Sequence, residues 1–238
     1  MKRIEGKIRK ACDMYNMIED GDRIAIGVSG GKDSVALVAG LAGLAKYYDR
    51  HFDIVAISLD PCFGGAETDF APVTEMCKSF GIEHHIKRTN LGEIIFDIRK
   101  ESNPCSLCAR MRRGALHDMC NALGCGKIAL GHHMDDAVET FFLNLFHEGR
   151  MAAFYPKTWL SRKEITAIRP LILCTEAEVQ SAANRQALPV VKSRCPVDGV
   201  SERQNIKNFI VQKEREYPGF LQRTFTAMQN GNISGLGV

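Results

Sequence analysis

The chain has 238 residues, 45% apolar and 25% charged, long enough for one generous domain with an appendage and a core large enough to fold unaided. A formal net charge of +3 excludes a whole-molecule field as the source of nucleic-acid affinity, which must come from local patches. Nine irregularly placed cysteines do not form the pattern of a secreted disulfide scaffold, and no apolar run approaches bilayer thickness; a cytoplasmic location, no membrane partner, and reduced or metal-bound thiols are expected.

The chain opens on MKRIEGKIRKAC, charged throughout and unlike a leader peptide, with Lys2, Arg3, Lys7, Arg9 and Lys10 in a basic run. Residues 1–20 are read as an N-terminal helix. Ile24 to Val28 then reads as a strand and VALVAGLAGLA as part of a helix near 33–46. Between them lies SGGKDS, residues 29–34, at the strand's carboxyl end. Amides of a glycine turn and of a helix start point the same way, so with the helix dipole they hold an anionic phosphate, to which Lys32 adds a charge. The stretch is not a Walker A loop, because Ile26 stands where its first glycine belongs and Asp33 follows the lysine; nor does it fit G-x-G-x-x-G. A plain turn with Asp33 as helix cap is the ordinary alternative. Six consecutive residues with Lys32 and Asp33 adjacent weigh against it.

Residues 53–59, 82–86, 127–133 and 166–172 are apolar or β-branched runs that read as buried parallel strands. Helices are predicted near 68–80, 107–123 and 136–147, the last with Val138, Phe141, Phe142, Leu145 and Phe146 on one face. Asp60 ends the second strand, where turn chemistry alone could account for it. GHHMDDAVET places His132, His133, Asp135 and Asp136 at another strand's carboxyl end, where doubly wound sheets bind ligands. The plainer alternative has Asp136 capping the helix with Glu139, and a histidine satisfied in the core.

ESNPCSLCARMRRG sets Cys105 and Cys108 in a C-x-x-C spacing at a helix start, where thiols are acidified and can share a metal. Two ligands are too few. Cys195, in LPVVKSRCPVDG, is the best third, since it follows an extended run and sits against Pro196 in a loop able to turn toward another element. Cys12, Cys62, Cys77, Cys120, Cys125 and Cys174 read as small buried hydrophobes. Arg110, Arg112 and Arg113 follow the C-x-x-C and are candidate RNA-phosphate contacts; the N-terminal basic run is a second candidate. Solvated helix faces are the ordinary alternative for both. After Pro170 the pattern turns helical, with possible capping boxes at Thr175–Glu178 and Ser201–Gln204.

Strand and helix alternate throughout, so the fold class is α/β, a doubly wound and mainly parallel sheet with a helical C-terminal segment. The expected division is residues 1–20, an α/β domain over 21–172 with the C-x-x-C segment inserted, and 173–238 carrying the third cysteine.

SGGKDS resembles the signature of the PP-loop ATP pyrophosphatases, which cleave ATP between the α and β phosphates and adenylate a substrate. That resemblance implies ATP held by Ser29, Gly30, Gly31, Lys32, Asp33 and Ser34, with Asp60, His132, Asp135 and Asp136 at the same rim. Lys32 would neutralise the leaving group and Asp33 would bind Mg²⁺. Together with CSLC and its arginines, KIALGHH with DD, the RPL of Arg169 to Leu171, the late cysteine and the YPGFLQRTFTAMQN tail, the chain is similar over nearly its whole length to the tRNA 2-thiocytidine synthetase family. Membership would imply ATP-dependent replacement of the 2-oxygen of an anticodon-loop cytidine by sulfur. It would also imply a 4Fe-4S cluster on Cys105, Cys108 and Cys195 with one open iron site, a tRNA partner, a sulfur donor such as a cysteine desulfurase, and a homodimer. Met134 departs from the family, which has arginine there.

Spacing alone favours zinc on the same cysteines, and the resemblance reverses that preference. Two other functions stay open at this point. One is a PP-loop ligase or desulfurase acting on another nucleobase or a small metabolite; the other is a non-enzymatic nucleotide-binding redox sensor.

Overall fold

The first apolar run forms β1 (Asp22–Gly27), paired in parallel with β2 (Phe52–Asp60) on one side and β4 (Lys127–Ala129) on the other. Parallel β3 (Glu83–Arg88) extends the sheet beyond β2; β6 (Ile165–Ile168), then antiparallel β5 (Lys157–Leu160), extend it beyond β4. The computed structural model describes residues 1–99, 104–192, 194–196 and 202–237, with residue 97 by its backbone, and its six strands run in the order β3-β2-β1-β4-β6-β5. The chain moves outward from β1 through β2 to β3, then returns to the other side of β1. Strand order therefore reverses between β1 and β4, and a crevice opens at their carboxyl ends.

Nine helices cover this sheet among the described residues: α1 (Lys2–Met14), α2 (Lys32–Leu44), α3 (Ala71–Ser79), α4 (Leu91–Glu93, continuing as a π-helical turn Ile94–Ile98), α5 (Pro104–Ala122), α6 (Met134–Glu148), α7 (Glu176–Arg185), α8 (Glu202–Glu216) and α9 (Phe220–Asn230). Because strand side chains alternate, each face has its own core. Ile24 and Ile26 pack into one that includes Leu37, Leu41 and Val138; Ala25, Val55 and Ile57 pack into the other with Met119 and Cys120 of α5. Thus α2 and α5 lie on opposite faces, and residues of both line one cavity beyond the strand ends. Helix α2 is buried along almost its whole length, and its glycines admit α1: a Cβ at Gly40 would collide with Ile8. The helices after β6 pack on α2 and α6 and do not join the sheet. They are bound by aromatic rings, with Phe142 of α6 stacked on Phe220 at 5.8 Å and edge-on to Phe209 at 5.3 Å.

Several sequence expectations are corrected here. The run 127–133 is strand only to Ala129, and GHH is a turn leading into α6; the run 166–172 ends as strand at Ile168. The run 82–86 forms β3, but as a half-exposed edge strand, having no neighbour beyond it. Helix α3 starts at Ala71, not near 68, and Met134 opens α6 ahead of 136. Helix α5 begins at Pro104, ahead of the predicted 107, as suits a residue whose missing N–H costs nothing in the first turn. Leu145 and Phe146 are 36% and 53% exposed, because the partner rings of α8 and α9 cover only part of the predicted apolar face. Strand β5 and the turn at 91–98 were not predicted at all. The box at Thr175 is present, with Glu178 N donating to Thr175 Oγ1 at 3.2 Å and Thr175 N to Glu178 Oε2 at 2.9 Å; Ser201 lies outside the described residues.

Since Phe142 is 9% exposed and joins three helices, Phe142→Ala should cost about 3–5 kcal/mol in urea unfolding. Hydrogen exchange in α8 and α9 should rise before exchange in β1.

Candidate active site

The SGGKDS turn runs from β1 into α2. Gly30 takes φ +86°, a left-handed conformation open to glycine, and Ser34 Oγ donates to Gly31 O at 2.8 Å. Gly31 is the N-cap of α2 and is extended, with no side-chain cap; Asp33 therefore does not cap the helix, correcting the plain-turn alternative. The first amides of α2 are left for an outside acceptor, the condition for binding an anion at a helix start. Two neighbouring helices differ: α7 is capped by Thr175, and α6 by His133.

In that second cap Asp136 N donates to His133 Nδ1 at 3.4 Å and His133 N to Asp136 Oδ2 at 2.9 Å. The sequence alternative had Asp136 as N-cap paired with Glu139; instead Asp136 is the third helical residue, because the helix starts two residues early. Glu139 receives Arg203 at 3.1 Å. The two motifs touch. A Cβ on Gly131 would lie 3.1 Å from the carbonyl carbon of Asp33. His133 Nε2 stands 3.7 Å from Asp33 Oδ1, which is buried without a hydrogen-bond partner. That orphaned carboxylate oxygen is suited to a cation. Asp135 turns away, accepting from Glu176 N at 2.8 Å, and burial raises its pKa. His132 lines the crevice with its Nδ1 buried and unpartnered; burial, then the nearby Arg169 charge, lower its pKa to about 4 and keep it neutral.

A cavity of about 290 Å³ occupies the switch point, walled by Ser29, Asp33 and Ser34 from one motif, His132 and Asp136 from the other, and Arg112 from α5. A second, of about 250 Å³, shares Ser29, Leu59 and Arg112 with the first and reaches Val191 and Arg194. A larger cavity of about 370 Å³ lies at the opposite, amino-terminal edge of the sheet, among Arg23, Phe52 and Glu83, and holds none of the candidate residues.

Cys105, Cys108, Arg112 and Leu116 fall on one side of α5 by their three- and four-residue spacings, whereas Arg110 sits about 160° round the helix from Arg112. Arg113 is exposed and donates to Ala109 O at 3.2 Å. The segment carrying Cys195 reaches this place through the SGGKDS turn itself: Val191 N donates to Gly30 O at 2.9 Å, and a Cβ on Gly30 would lie 2.9 Å from Val191 Cβ. The three cysteines are neighbours in charge. Burial raises the Cys108 pKa, Arg112 opposes the rise, and the Cys195 and Cys105 thiols add to it. Among the described residues no three His, Cys, Asp or Glu side chains converge on a point for a single metal ion. Of the remaining six, Cys12, Cys77, Cys120, Cys125 and Cys174 are buried, and Cys62 is half-buried.

Asp60 lines neither crevice cavity. It is 1% exposed and accepts from Cys62 N, Thr68 N and Thr68 Oγ1 at 2.7–3.1 Å, so it organises its own loop. In the N-terminal run, Arg3 and Lys7 pair with Glu178 of α7 at 2.8 and 2.6 Å. Three features of the site had no signal in the sequence. Val191 lies in an apolar run, Glu176 follows the Thr175 cap, and Lys207 is one of many charges along α8.

A PP-loop domain family model matches residues 2–214. The tRNA-cytidine(32) 2-sulfurtransferase of Saccharophagus degradans is 39% identical over 99% of this chain and 76% of its own length. That of Geobacter sulfurreducens is 37% identical over 96% and 90%. Among solved structures, the U34-tRNA thiolase NcsA from Methanococcus maripaludis, with its 4Fe-4S cluster, superposes with TM-score 0.78 at 25% identity, covering 96% of this chain and 77% of that one.

Gly30→Ala should strain the turn by about 1–2 kcal/mol and push Val191 aside. ATP affinity measured by titration calorimetry should fall at least about tenfold, while far-ultraviolet circular dichroism stays unchanged.

Proposed function

Because the chain belongs to the PP-loop family and, within it, to the tRNA-cytidine(32) 2-sulfurtransferases, we propose that it uses ATP to replace the 2-oxygen of cytidine 32 in the tRNA anticodon loop with sulfur. The observation that carries this reading is the bond from Val191 to Gly30, which brings the Cys195 segment against the turn suited to the triphosphate. The PP-loop lines two cavities that share Ser29, Leu59 and Arg112, and the second extends to Arg194, the residue before Cys195.

The uncapped start of α2 and the amides of Gly30 and Gly31 would take the pyrophosphate portion of ATP, with Ser29 and Ser34 beside them. Lys32 would balance charge on the leaving group, and Asp33, through its unpartnered Oδ1, would hold Mg²⁺. His132 and Asp136 would orient the nucleotide from the opposite wall, with Asp135 fixing the start of α7 behind them. Asp60 would act at a remove, by keeping its loop in shape. An everted pyrimidine attacks the α phosphorus through its 2-oxygen, and the α–β bond breaks to release pyrophosphate. A sulfur nucleophile then adds at C2 and AMP leaves. The 4Fe-4S cluster, held by Cys105, Cys108 and Cys195 with one iron open, would supply the reactive sulfur. Arg112 would meet the AMP phosphate or the RNA backbone between the two centres, while Arg110 and Arg113 would hold tRNA outside it. A cysteine desulfurase as sulfur donor and a homodimeric assembly complete the proposal. No helix among the described residues is long and apolar enough to cross a membrane.

Nucleoside analysis of tRNA decides the reaction: 2-thiocytidine should vanish when the only gene copy is deleted and return on complementation. Its persistence would exclude the proposal. Pyrophosphate release stimulated by a small metabolite rather than tRNA would favour a ligase or desulfurase, and ATP binding without turnover a sensor. Oxygen-free protein should show a broad brown absorbance that is lost, together with thiolation, in Cys105→Ala, Cys108→Ala or Cys195→Ala.

A further inference from the structure

The PP-loop lysine lines neither of the cavities in the crevice. Lys32 Nζ instead lies 3.1 Å from Asp33 Oδ2 and 3.0 Å from Oε1 of Glu176, the first residue of α7. The second oxygen of Glu176 receives Lys207 Nζ, from α8, at 2.6 Å. One carboxylate thus serves two ammonium groups from two distant parts of the chain. It is held in place from its own backbone, by the bond from Glu176 N to Asp135 and by the capping box on either side of it. Burial alone would raise the Glu176 pKa, but hydrogen bonds from Lys207 and Lys32 bring it down to about 2, so the group is charged at any working pH.

We propose that Glu176 is a positioning residue for Lys32, holding its ammonium at the mouth of the PP-loop and sharing it with α8 through Lys207. The inference rests on the PP-loop being the ATP site. A lysine has a long flexible stem and a point charge, so its location must be imposed by something rigid. Glu176 supplies that from the first turn of a capped helix. The third partner explains how the lysine remains available to pyrophosphate. If Glu176 paired with Lys32 alone, drawing the lysine toward phosphate would leave a partly buried carboxylate unpaired, which is costly. Lys207 stays on the other oxygen, so the exchange leaves Glu176 paired, while Asp33, which gives up Lys32, is the carboxylate suited to a cation. The C-terminal helices thereby bear on the ATP chemistry without touching ATP.

The experiment is steady-state, tRNA-dependent pyrophosphate release by the cluster-loaded enzyme, with ATP varied, for the wild type, Glu176→Gln, Lys32→Met and the double variant. In Glu176→Gln kcat should fall about tenfold to a hundredfold while the KM for ATP does not rise, because a mispositioned ammonium is missed most when charge develops on the leaving group. In the Lys32→Met background the same substitution should cost less than about twofold, since a residue acting through Lys32 has nothing left to act on. If Glu176→Gln melts, Glu176→Asp, which keeps the charge one methylene short, carries the same comparison with a smaller loss. Wild-type kcat in Glu176→Gln, or the same loss with and without Lys32, would overturn the positioning role alone. No pyrophosphate release from the wild type would overturn the thiolation reading and this role with it.

Discussion

The backbone bond from Val191 to Gly30 is the contact on which the site depends. One hydrogen bond of this kind contributes only about 1 kcal/mol net, so its importance is positional. Gly30 must adopt a left-handed φ for the turn to close and must lack a Cβ for Val191 to approach. The same two requirements shape the anion-binding turn and bring in the segment that carries Cys195. A single glycine therefore couples the geometry of the anion-binding turn to the placement of the Cys195 segment.

Helix termini distribute charge around the crevice. Helix α6 satisfies its first amides with His133, and α7 with Thr175, so neither invites an anion; α2 is left open. Acidic groups surround that open end and are divided by task. Asp136 closes a cap, Asp135 holds the α7 backbone, Glu176 holds two lysines, and Asp33 retains one buried oxygen without a partner. Carboxylates this close together would repel one another in the absence of cations. The lysines from α2 and α8 supply part of the balance, and a divalent cation beside Asp33 would supply more.

The opposite face of the sheet contributes through α5. Its cysteines and Arg112 share one side of a helix whose far end packs in the second core, so their direction follows from Met119 and Cys120 fitting beneath Ala25 and Ile57. Arg112 opens on both cavities and so joins the space beside the SGGKDS turn to the space beside the Cys195 segment.

The alternation of elements, the doubly wound class and the two polar motifs at strand ends could be read from the sequence, because apolar period, glycine turns and capping residues act over a few neighbours. Cys105 and Cys108 were legible for the same reason. Boundaries were less so: GHH looks like strand continuation, yet its second histidine caps α6. β5 and the π turn had no clear local signal, since an edge strand is made by the strand it joins. Cys195 stands out as a third ligand from its place in an extended run before Pro196, and family resemblance changes the expected occupant from zinc to a cluster. What only the tertiary structure decided is which distant residues complete the site. Val191 answers Gly30, Glu176 and Lys207 answer Lys32, and Asp60 is drawn into its own loop. Such pairings join points that lie far apart along the chain, and they exist only once both cores have packed and the carboxyl ends of β1 and β4 stand side by side.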